Sequence, residues 1–314
     1  MPNTEADLAV AAGVIRNIQG QVLLAQRHEQ VHQGGKWEFP GGKLKPGESA
    51  LAGLGRELDE ELGIKVQEAR FLICVRHRYP ELRVTLWVFE VIRFTGVPHG
   101  RENQPLAWVG PSELDRYDLP AADRPIVGAL TLPAFYPVLE GKGEEEGYRA
   151  QFYRLLEQGH RLLYLRARDL PTAAYLSLVE EFGYALKTAG GCLMIRPIDG
   201  AQGPGQALGL HLTHSQLHNL SFRPYGWQRV AAACHSLYDL KQAERLGIDF
   251  AVLSPVQATL THPEASPLGW EVVAHWLEKI SLPTYLMGGL ARCDLDRARR
   301  LGAQGLAGIR LFGG

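Results

Sequence analysis

The stretch W-E-F-P-G-G-K-L-K-P-G-E-S-A-L-A-G-L-G-R-E-L-D-E-E-L-G-I, from Trp37 to Ile64, decides how the first part of the chain is read. Pro40-Gly41-Gly42 and Pro46-Gly47 are turn signals, so a tight loop leads into a helix. Ser49 suits the N-cap of a helix that begins near Ala50, and Gly63 suits its C-terminal cap. On that helix Glu57, Glu60 and Glu61 stand at i, i+3 and i+4 and share one face. Like charges at this spacing destabilise a helix, so the cluster calls for a counter-charge. Hard oxygen ligands gathered in one place suit Mg²⁺, which keeps waters and is shared with substrate phosphates. Arg56 is placed to pair with a carboxylate and hold its orientation. A bare E-x-x-E-E would read as a solvated acidic face; the glycines and the arginine at fixed spacing favour the metal site.

Length and charge bound the remaining choices. A chain of 314 residues fits two domains, placed here at 1–129 and 130–314. With 33 basic and 34 acidic residues the net charge is −1, which supplies no general attraction to nucleic acid or to an anionic membrane. Direct nucleic-acid binding is therefore not expected. Cys74, Cys192, Cys234 and Cys293 are scattered without a C-x-x-C pair and read as reduced, small apolar residues. The start M-P-N-T-E-A-D has neither a basic region nor an apolar core, and no apolar run is long enough to span a bilayer. A cytoplasmic location is the expectation.

In the first domain Leu8 to Ile15 and Val22 to Gln26 are β-prone, and the turn-rich Asn17-Ile18-Gln19-Gly20 between them predicts a hairpin. Further strands are predicted over Phe71–Arg78, Leu82–Phe94 and Trp108-Val109, with Ser112 capping a helix that starts near Glu113. Strands flanking one strongly marked helix imply an α/β/α sandwich. The spacing from Gly42 through Glu48 to Arg56-Glu57-Leu58, Glu60-Glu61 and Gly63-Ile64 matches the Nudix box at every position. The segment resembles Nudix hydrolases, and within them the MutT-type 8-oxo-dGTP diphosphatases, which have the same sandwich fold.

That resemblance implies water attack on a nucleoside triphosphate, releasing a monophosphate and pyrophosphate, with Mg²⁺ as cofactor and Mn²⁺ as a substitute. It implies that Glu57, Glu60 and Glu61 bind metal with the carbonyl of Gly41. Glu102, in G-R-E-N-Q-P, completes the site as ligand or general base, and Arg56 belongs to the same catalytic set. Arg27 and Lys43 resemble the phosphate contacts, while His32 and the segment Glu38, Phe39, Pro40 and Gly41 resemble the wall around sugar and base. Phe39 reads equally well as core. The informative departure is Asp123, which stands where the MutT type has a base-reading asparagine. An amide both donates and accepts, whereas an ionised carboxylate only accepts. Asp123 would thus lack a donor for the purine O6 unless protonated. Leu82 likewise replaces an arginine of the MutT type.

From Leu132 the pattern changes to short apolar strands at Ala134–Val138, Arg161–Leu165, Cys192–Ile195, Leu208–Leu212, Arg229–Ala233, Asp249–Leu253, Thr284–Met287 and Leu306–Ile309. Helical segments lie between them at Ala173–Lys187, Tyr238–Leu246, Gly269–Ile280 and Leu295–Leu301. This alternation predicts a compact (β/α)₈ TIM barrel. Pro197–Ala207 reads as loop rather than a full third helix. The half resembles thiamine phosphate synthase and TenI-like barrels through L-G-L-H-L-T, A-C-H-S-L, D-F-A-V-L-S-P-V, M-G-G-L and G-A-Q-G-L-A-G-I. The resemblance implies a phosphate site from Gly288, Gly289, Gly308 and Ile309, with Arg166 and Ser236 retained, and a thiamine-related phosphate as ligand. Against the synthase pattern, Arg196-Pro197 replaces the Asn-Asp pair for magnesium pyrophosphate. The lysine after strand six is replaced near His262, and the TenI-like histidine would fall at Pro255. Synthase activity is not expected. His211, His214 and His218 suggest a metal cluster at first sight but read as loop and helix-surface histidines.

The expectation is therefore an 8-oxo-dGTP diphosphatase that sanitises the nucleotide pool, joined to a non-catalytic or regulatory barrel. The alternatives are hydrolysis of a thiamine-pathway pyrophosphate, or a barrel that senses a thiamine phosphate and tunes the hydrolase.

Overall fold

The computed structural model describes residues 6–141, 144–197, 208–259 and 266–312. The chain divides into two compact units, Met1–Thr131 and Leu132–Gly314. The first contains β1 (Ala6–Ile15), β2 (Val22–Gln26), β3 (Trp37–Glu38), β4 (Gly41–Lys43), α1 (Ala50–Leu62), β5 (Lys65–Arg78), β6 (Leu82–Thr95), β7 (Leu106–Val109) and α2 (Arg124–Thr131). A four-stranded sheet has the order β4-β1-β6-β5 and a three-stranded sheet the order β3-β2-β7. Strands β1 and β6 run parallel, from Ala6 opposite Leu82 to Ile15 opposite Val91, and the other pairs are antiparallel.

Alternation along β1 makes the sandwich. Ala11 and Ile15 face one way and pack with Leu54, Leu58 and Leu62 of α1. Ala12 and Val14 face the other way, towards Phe39, Val75, Val88 and Ile126 of α2. Side chains of successive strand residues point to opposite faces, so one strand can floor both layers.

Two local expectations fail. Strands β1 and β2 do not form a hairpin: the turn closes through Asn17 Oδ1, which accepts the Gln19 and Gln21 N–H groups at 3.0 Å. Only the bridge from Arg16 to Val22 follows, and each strand then enters a different sheet. Ser112 does not cap a helix. It lies inside a 3₁₀ turn, Pro111–Arg116, that begins after Gly110 with proline in its first turn.

The second unit contains β8 (Phe135–Leu139), α3 (Glu145–Glu157), β9 (Leu162–Leu165), α4 (Thr172–Thr188), β10 (Cys192–Ile195), β11 (Leu208–Leu212), α5 (His214–His218) and β12 (Arg229–Cys234). After these come α6 (Leu237–Arg245), β13 (Phe250–Leu253), α7 (Gly269–Leu277), β14 (Thr284–Leu286), α8 (Leu295–Arg300) and β15 (Gly305–Gly308). Strands β8 to β15 close a parallel barrel in chain order. The inward residues Tyr136, Tyr164, Met194, Phe250, Val252 and Tyr285 fill it, while Leu163, Leu165, Leu193 and Ile195 face the helices. The barrel is thus a packed core and not a pore.

His211 also points inward, contrary to its reading as a surface histidine. It is 6% exposed, hydrogen-bonded to the Tyr136 hydroxyl at 3.0 Å and stacked on Tyr164 at 4.2 Å. Burial, then the charges of Arg166 and Arg168, push its pKa down to about 3, so the ring is neutral. Cys74, Cys192 and Cys234 are buried, but Cys293 is exposed and so is not an apolar core residue. Most of the loop expected at Pro197–Ala207, and the position near His262, lie outside the described residues. Among the described residues no helix is long and apolar enough to cross a membrane.

Leu58 is fully buried between α1 and the sheet. Leu58→Ala is expected to destabilise the first unit by about 2–5 kcal/mol through a cavity. Hydrogen exchange should show faster exchange in α1 and β1 with unchanged protection in β8 to β15.

Candidate active site

The carboxylate cluster is built on α1. The Ser49 hydroxyl accepts the Ala52 N–H at 3.3 Å, and Gly63, at φ +70°, ends the helix. Arg56 organises the face between these caps. Its Nε and Nη2 fork onto Glu48 at 2.9 and 2.8 Å, and Nη2 also donates to the Lys43 carbonyl at 3.0 Å. Its Nη1 donates to Glu57 at 2.7 Å and to Glu60 at 3.0 Å. One guanidinium therefore ties the preceding loop to two of the three clustered carboxylates, using the planar fork that lysine lacks. The Arg56 hydrogen bonds, helped by the Lys45 N–H, hold the Glu48 carboxyl down at about 2.

The loop can approach only because two positions have no side chain. A Cβ at Gly41, where φ is +150°, would lie 2.0 Å from the Ala11 carbonyl oxygen. One at Gly42 would lie 2.3 Å from Glu57 Oε2. With both absent, the Gly41 N–H reaches Glu61 Oε2 at 3.2 Å. Burial, then the negative charges of Glu38, Glu57 and Glu102, push the Glu61 carboxyl up to about 8 in spite of that hydrogen bond. Arg27 pairs with Glu38 and Arg56 with Glu57 and Glu60, yet Glu61 still sits in a net negative field. Oxygen donors with surplus negative charge are the donor set a hard divalent cation takes, so these residues fit such an ion.

Glu102 is delivered to this helix end by neighbours that the sequence reading passed over. The Arg101 N–H and the Gln104 side-chain amide both donate to the Glu61 carbonyl, at 2.9 and 3.2 Å. Gln104 Oε1 in turn accepts the Glu102 N–H at 2.9 Å. The available signal was the glutamine two places after Glu102, buried in a loop whose other residues are mostly exposed.

A cavity of about 370 Å³ brings Glu61 and Glu102 together with Arg27, His32, Glu38, Lys43, Gly41 and Asp123. Glu57, Glu60 and Pro40 do not line it; the Pro40 carbonyl instead accepts the Gly13 N–H at 2.8 Å. Arg27 is engaged by Glu38 and by the His32 carbonyl, the latter at 3.0 Å. Burial raises the Glu38 carboxyl above its ordinary value, and Arg27 opposes the rise. His32 bonds to Glu81 and meets the Tyr79 ring edge-on at 4.9 Å. The Phe39 ring is core, 3% exposed, while its backbone N–H serves the cavity by bonding to Asp123.

Asp123 itself is buried in a 3₁₀ turn, Ala121–Asp123. Among the described residues its Oδ2 has no hydrogen-bond partner. Burial, then the charge of Glu38, push the carboxyl up to about 8, against Arg27 and the Phe39 N–H. Near neutral pH it is therefore mostly protonated.

In the second unit Gly288, Gly289, Gly308 and Ile309 line a cavity of about 240 Å³ with Arg310. Arg166 and Ser236 do not line it, which corrects their grouping with the glycines. Arg166 pairs with Glu140 at 3.4 Å, and the Ser236 hydroxyl caps α6 by accepting the Asp239 N–H at 3.1 Å. At the end of β10 the Arg196 guanidinium lies 4.1 Å from the Tyr175 ring centre, with its Nε buried and unpartnered among the described residues.

A sandwich with a glycine loop pressed onto an arginine-clamped carboxylate helix is the arrangement of a Nudix hydrolase, and the second unit is a closed parallel (β/α)₈ barrel. Comparison agrees: residues 11–129 match the NUDIX domain and residues 135–312 match the thiamine monophosphate synthase family, and the chain belongs to both. The first unit is 36% identical to the 8-oxo-dGTP diphosphatase of Escherichia coli, over 39% of this chain and 95% of that protein. It is 38% identical to the CTP pyrophosphohydrolase of the same organism, over 39% of this chain and 90% of that protein. The second unit is 31% identical to the putative thiamine-phosphate synthase 2 of Aquifex aeolicus, over 58% of this chain and 99% of that protein.

Arg56→Lys keeps the charge but loses the fork. It is expected to lower hydrolase activity by about 10–100-fold, the usual cost of losing a partner that orients ligands. A rise in the divalent-ion concentration needed for half-maximal rate, with unchanged circular dichroism, would identify the cause as ligand positioning.

Proposed function

We propose that the first unit hydrolyses 8-oxo-dGTP to 8-oxo-dGMP and pyrophosphate with Mg²⁺, Mn²⁺ serving as a substitute, and so removes an oxidised nucleotide before a polymerase can insert it. The observation that carries this reading is Asp123, which lines the cavity with a buried carboxyl whose Oδ2 has no partner among the described residues and which is held neutral near pH 7. A neutral carboxyl offers one O–H donor and keeps acceptor capacity, as an asparagine amide does. 8-Oxoguanine presents a donor at N7 beside an acceptor at O6, so Asp123 can accept from the first and donate to the second. Guanine presents acceptors at both positions and would leave the carboxyl acceptor facing a lone pair. A site built to pair both groups rejects the analogue that lacks one.

Glu57, Glu60 and Glu61, with the Gly41 carbonyl, are the proposed metal ligands. When bound there, the ion neutralises phosphate charge and lowers the pKa of water. Glu102 sits at the same end of the cavity as Glu61 and is the proposed general base or further ligand. Lys43 and Arg27 face the cavity as the proposed phosphate contacts, with Arg27 exchanging its Glu38 partner for phosphate. His32 and the segment Glu38 to Gly41 form the wall around sugar and base. The barrel is proposed to bind a thiamine-related phosphate at Gly288, Gly289, Gly308 and Ile309 without synthase activity. Supporting this, Arg196 at the end of β10 offers no oxygen ligand for the Mg²⁺ of a magnesium pyrophosphate.

The membership of the second unit favours one alternative, hydrolysis of a thiamine-pathway pyrophosphate. Steady-state hydrolysis of 8-oxo-dGTP, dGTP, CTP and thiamine pyrophosphate decides between them. A kcat/KM for 8-oxo-dGTP well above the rest is expected; equal rates for dGTP and its oxidised form would overturn the assignment of Asp123. Glu61→Gln is expected to abolish turnover while leaving the circular dichroism unchanged, and an active, folded variant would remove Glu61 from the metal site.

Asp123 also sets a pH dependence. Its carboxyl is raised above the unfolded value, so the native state holds a proton that is lost as pH rises through about 8. The O–H donor disappears with it. The ratio of kcat/KM for Asp123→Asn over wild type, measured on 8-oxo-dGTP, is expected to be flat below pH 7 and to climb above about 8. Stability changes over a lower window: wild type loses ground to the asparagine variant as pH rises from the ordinary carboxyl value of 3.8 to about 8, and the difference levels off above that.

A further inference from the structure

His214 and His218 lie one turn apart on α5, which follows β11 directly. Asp239 lies in the first turn of α6, which follows the neighbouring strand β12. Both helices start from the C-terminal ends of barrel strands, so side chains from two successive connections meet on the face where such barrels place their chemistry. His218 Nε2 is 2.7 Å and His214 Nδ1 3.3 Å from a single oxygen, Asp239 Oδ1. The ligand atoms of the three residues all lie within 4.8 Å of one another.

The carboxylate is fixed from behind. Asp239 is 1% exposed, and its Oδ2 accepts the His235 backbone N–H at 2.7 Å, which turns Oδ1 towards the histidines. Tyr238 stacks on His218 at 5.2 Å with the rings 3° from parallel. Metal ligands are commonly oriented by such outer contacts. His214 is half exposed, which leaves a side open to water. The two imidazoles stand 4.6 Å apart between ring centres, so charging both would set like charges side by side.

We propose that His214, His218 and Asp239 bind a divalent transition-metal ion of the Zn²⁺ class, at a site separate from the carboxylates of the first unit. Two imidazole nitrogens and one carboxylate favour such an ion over Mg²⁺, which takes oxygen ligands. Bonds of about 2.0–2.2 Å in a tetrahedron put ligand atoms roughly 3.3 Å apart. His214 is already at that distance from Asp239; His218 relaxes from its hydrogen bond, and the three ligand atoms, now within 4.8 Å of one another, draw together around the ion. Water fills the fourth position. Binding displaces the proton that His218 shares with Asp239, since a ligating nitrogen must offer its lone pair.

The test uses the full chain, with Zn²⁺ in equilibrium dialysis and Co²⁺ as a visible probe. Wild type is compared with the double variant His214→Asn, His218→Gln and with His218→Gln alone, which keeps a donor for Asp239. Wild type is expected to hold one more equivalent of Zn²⁺ than the double variant. It should also show the intense visible bands of tetrahedral, nitrogen-ligated Co²⁺, and both variants should lack them. The first-unit carboxylates are common to all three proteins, so any ion they hold cancels in the comparison. Unchanged Mg²⁺-dependent hydrolysis and circular dichroism certify folding. Equal Zn²⁺ stoichiometry in folded wild type and double variant would overturn the proposal and leave the histidines as hydrogen-bond partners of Asp239 only.

Discussion

Three carboxylates on one face of one helix repel one another, and the first unit is arranged around that repulsion. Arg56 answers part of it by gripping Glu48 with two nitrogens and Glu57 and Glu60 with the third. The glycine loop answers another part by lending the Gly41 N–H to Glu61. Burial, and then the negative field that is left, push Glu61 up to about 8. A fold that concentrates charge in this way gives up local stability at the carboxylate face, and buried apolar packing beneath α1 supplies the compensation.

The same burial acts on Asp123, which lines the same cavity as Glu61. Burial is the first cause at both carboxyls; around Glu61 the charges of Glu38, Glu57 and Glu102 add to it, and around Asp123 only that of Glu38 does. Desolvation disfavours the charged form, and Glu38 nearby adds to the effect. A residue that reads on paper as an anion thereby offers the donor and acceptor of an amide.

The barrel shows how position within one fold separates side chains of one kind. His211, His214 and His218 fall within eight residues of each other, yet the strand turns His211 into the packed interior and the helix that follows carries the other two to Asp239. The inward ring is neutral, stacked and enclosed. The outward pair shares one carboxylate oxygen beside solvent.

Much of this was legible without coordinates. The bounds of α1, the caps Ser49 and Gly63, the carboxylate face and the eight barrel strands follow from turn residues and from hydrophobic period, which act over a few neighbouring residues. The hairpin expected at Asn17 failed because sheet membership depends on distant partners, Leu82–Val91 for β1 and Leu106–Val109 for β2. Gln104 and Arg101 were missed because their role is to reach a carbonyl some forty places earlier in the chain. Asp123 was named, but its protonation was not decided by its identity; that depends on burial by segments remote in sequence. Residue type and spacing by themselves determined which chemistry the chain carries. Tertiary structure alone decided which atoms meet and how much water they keep, because distance and desolvation are set by long-range packing.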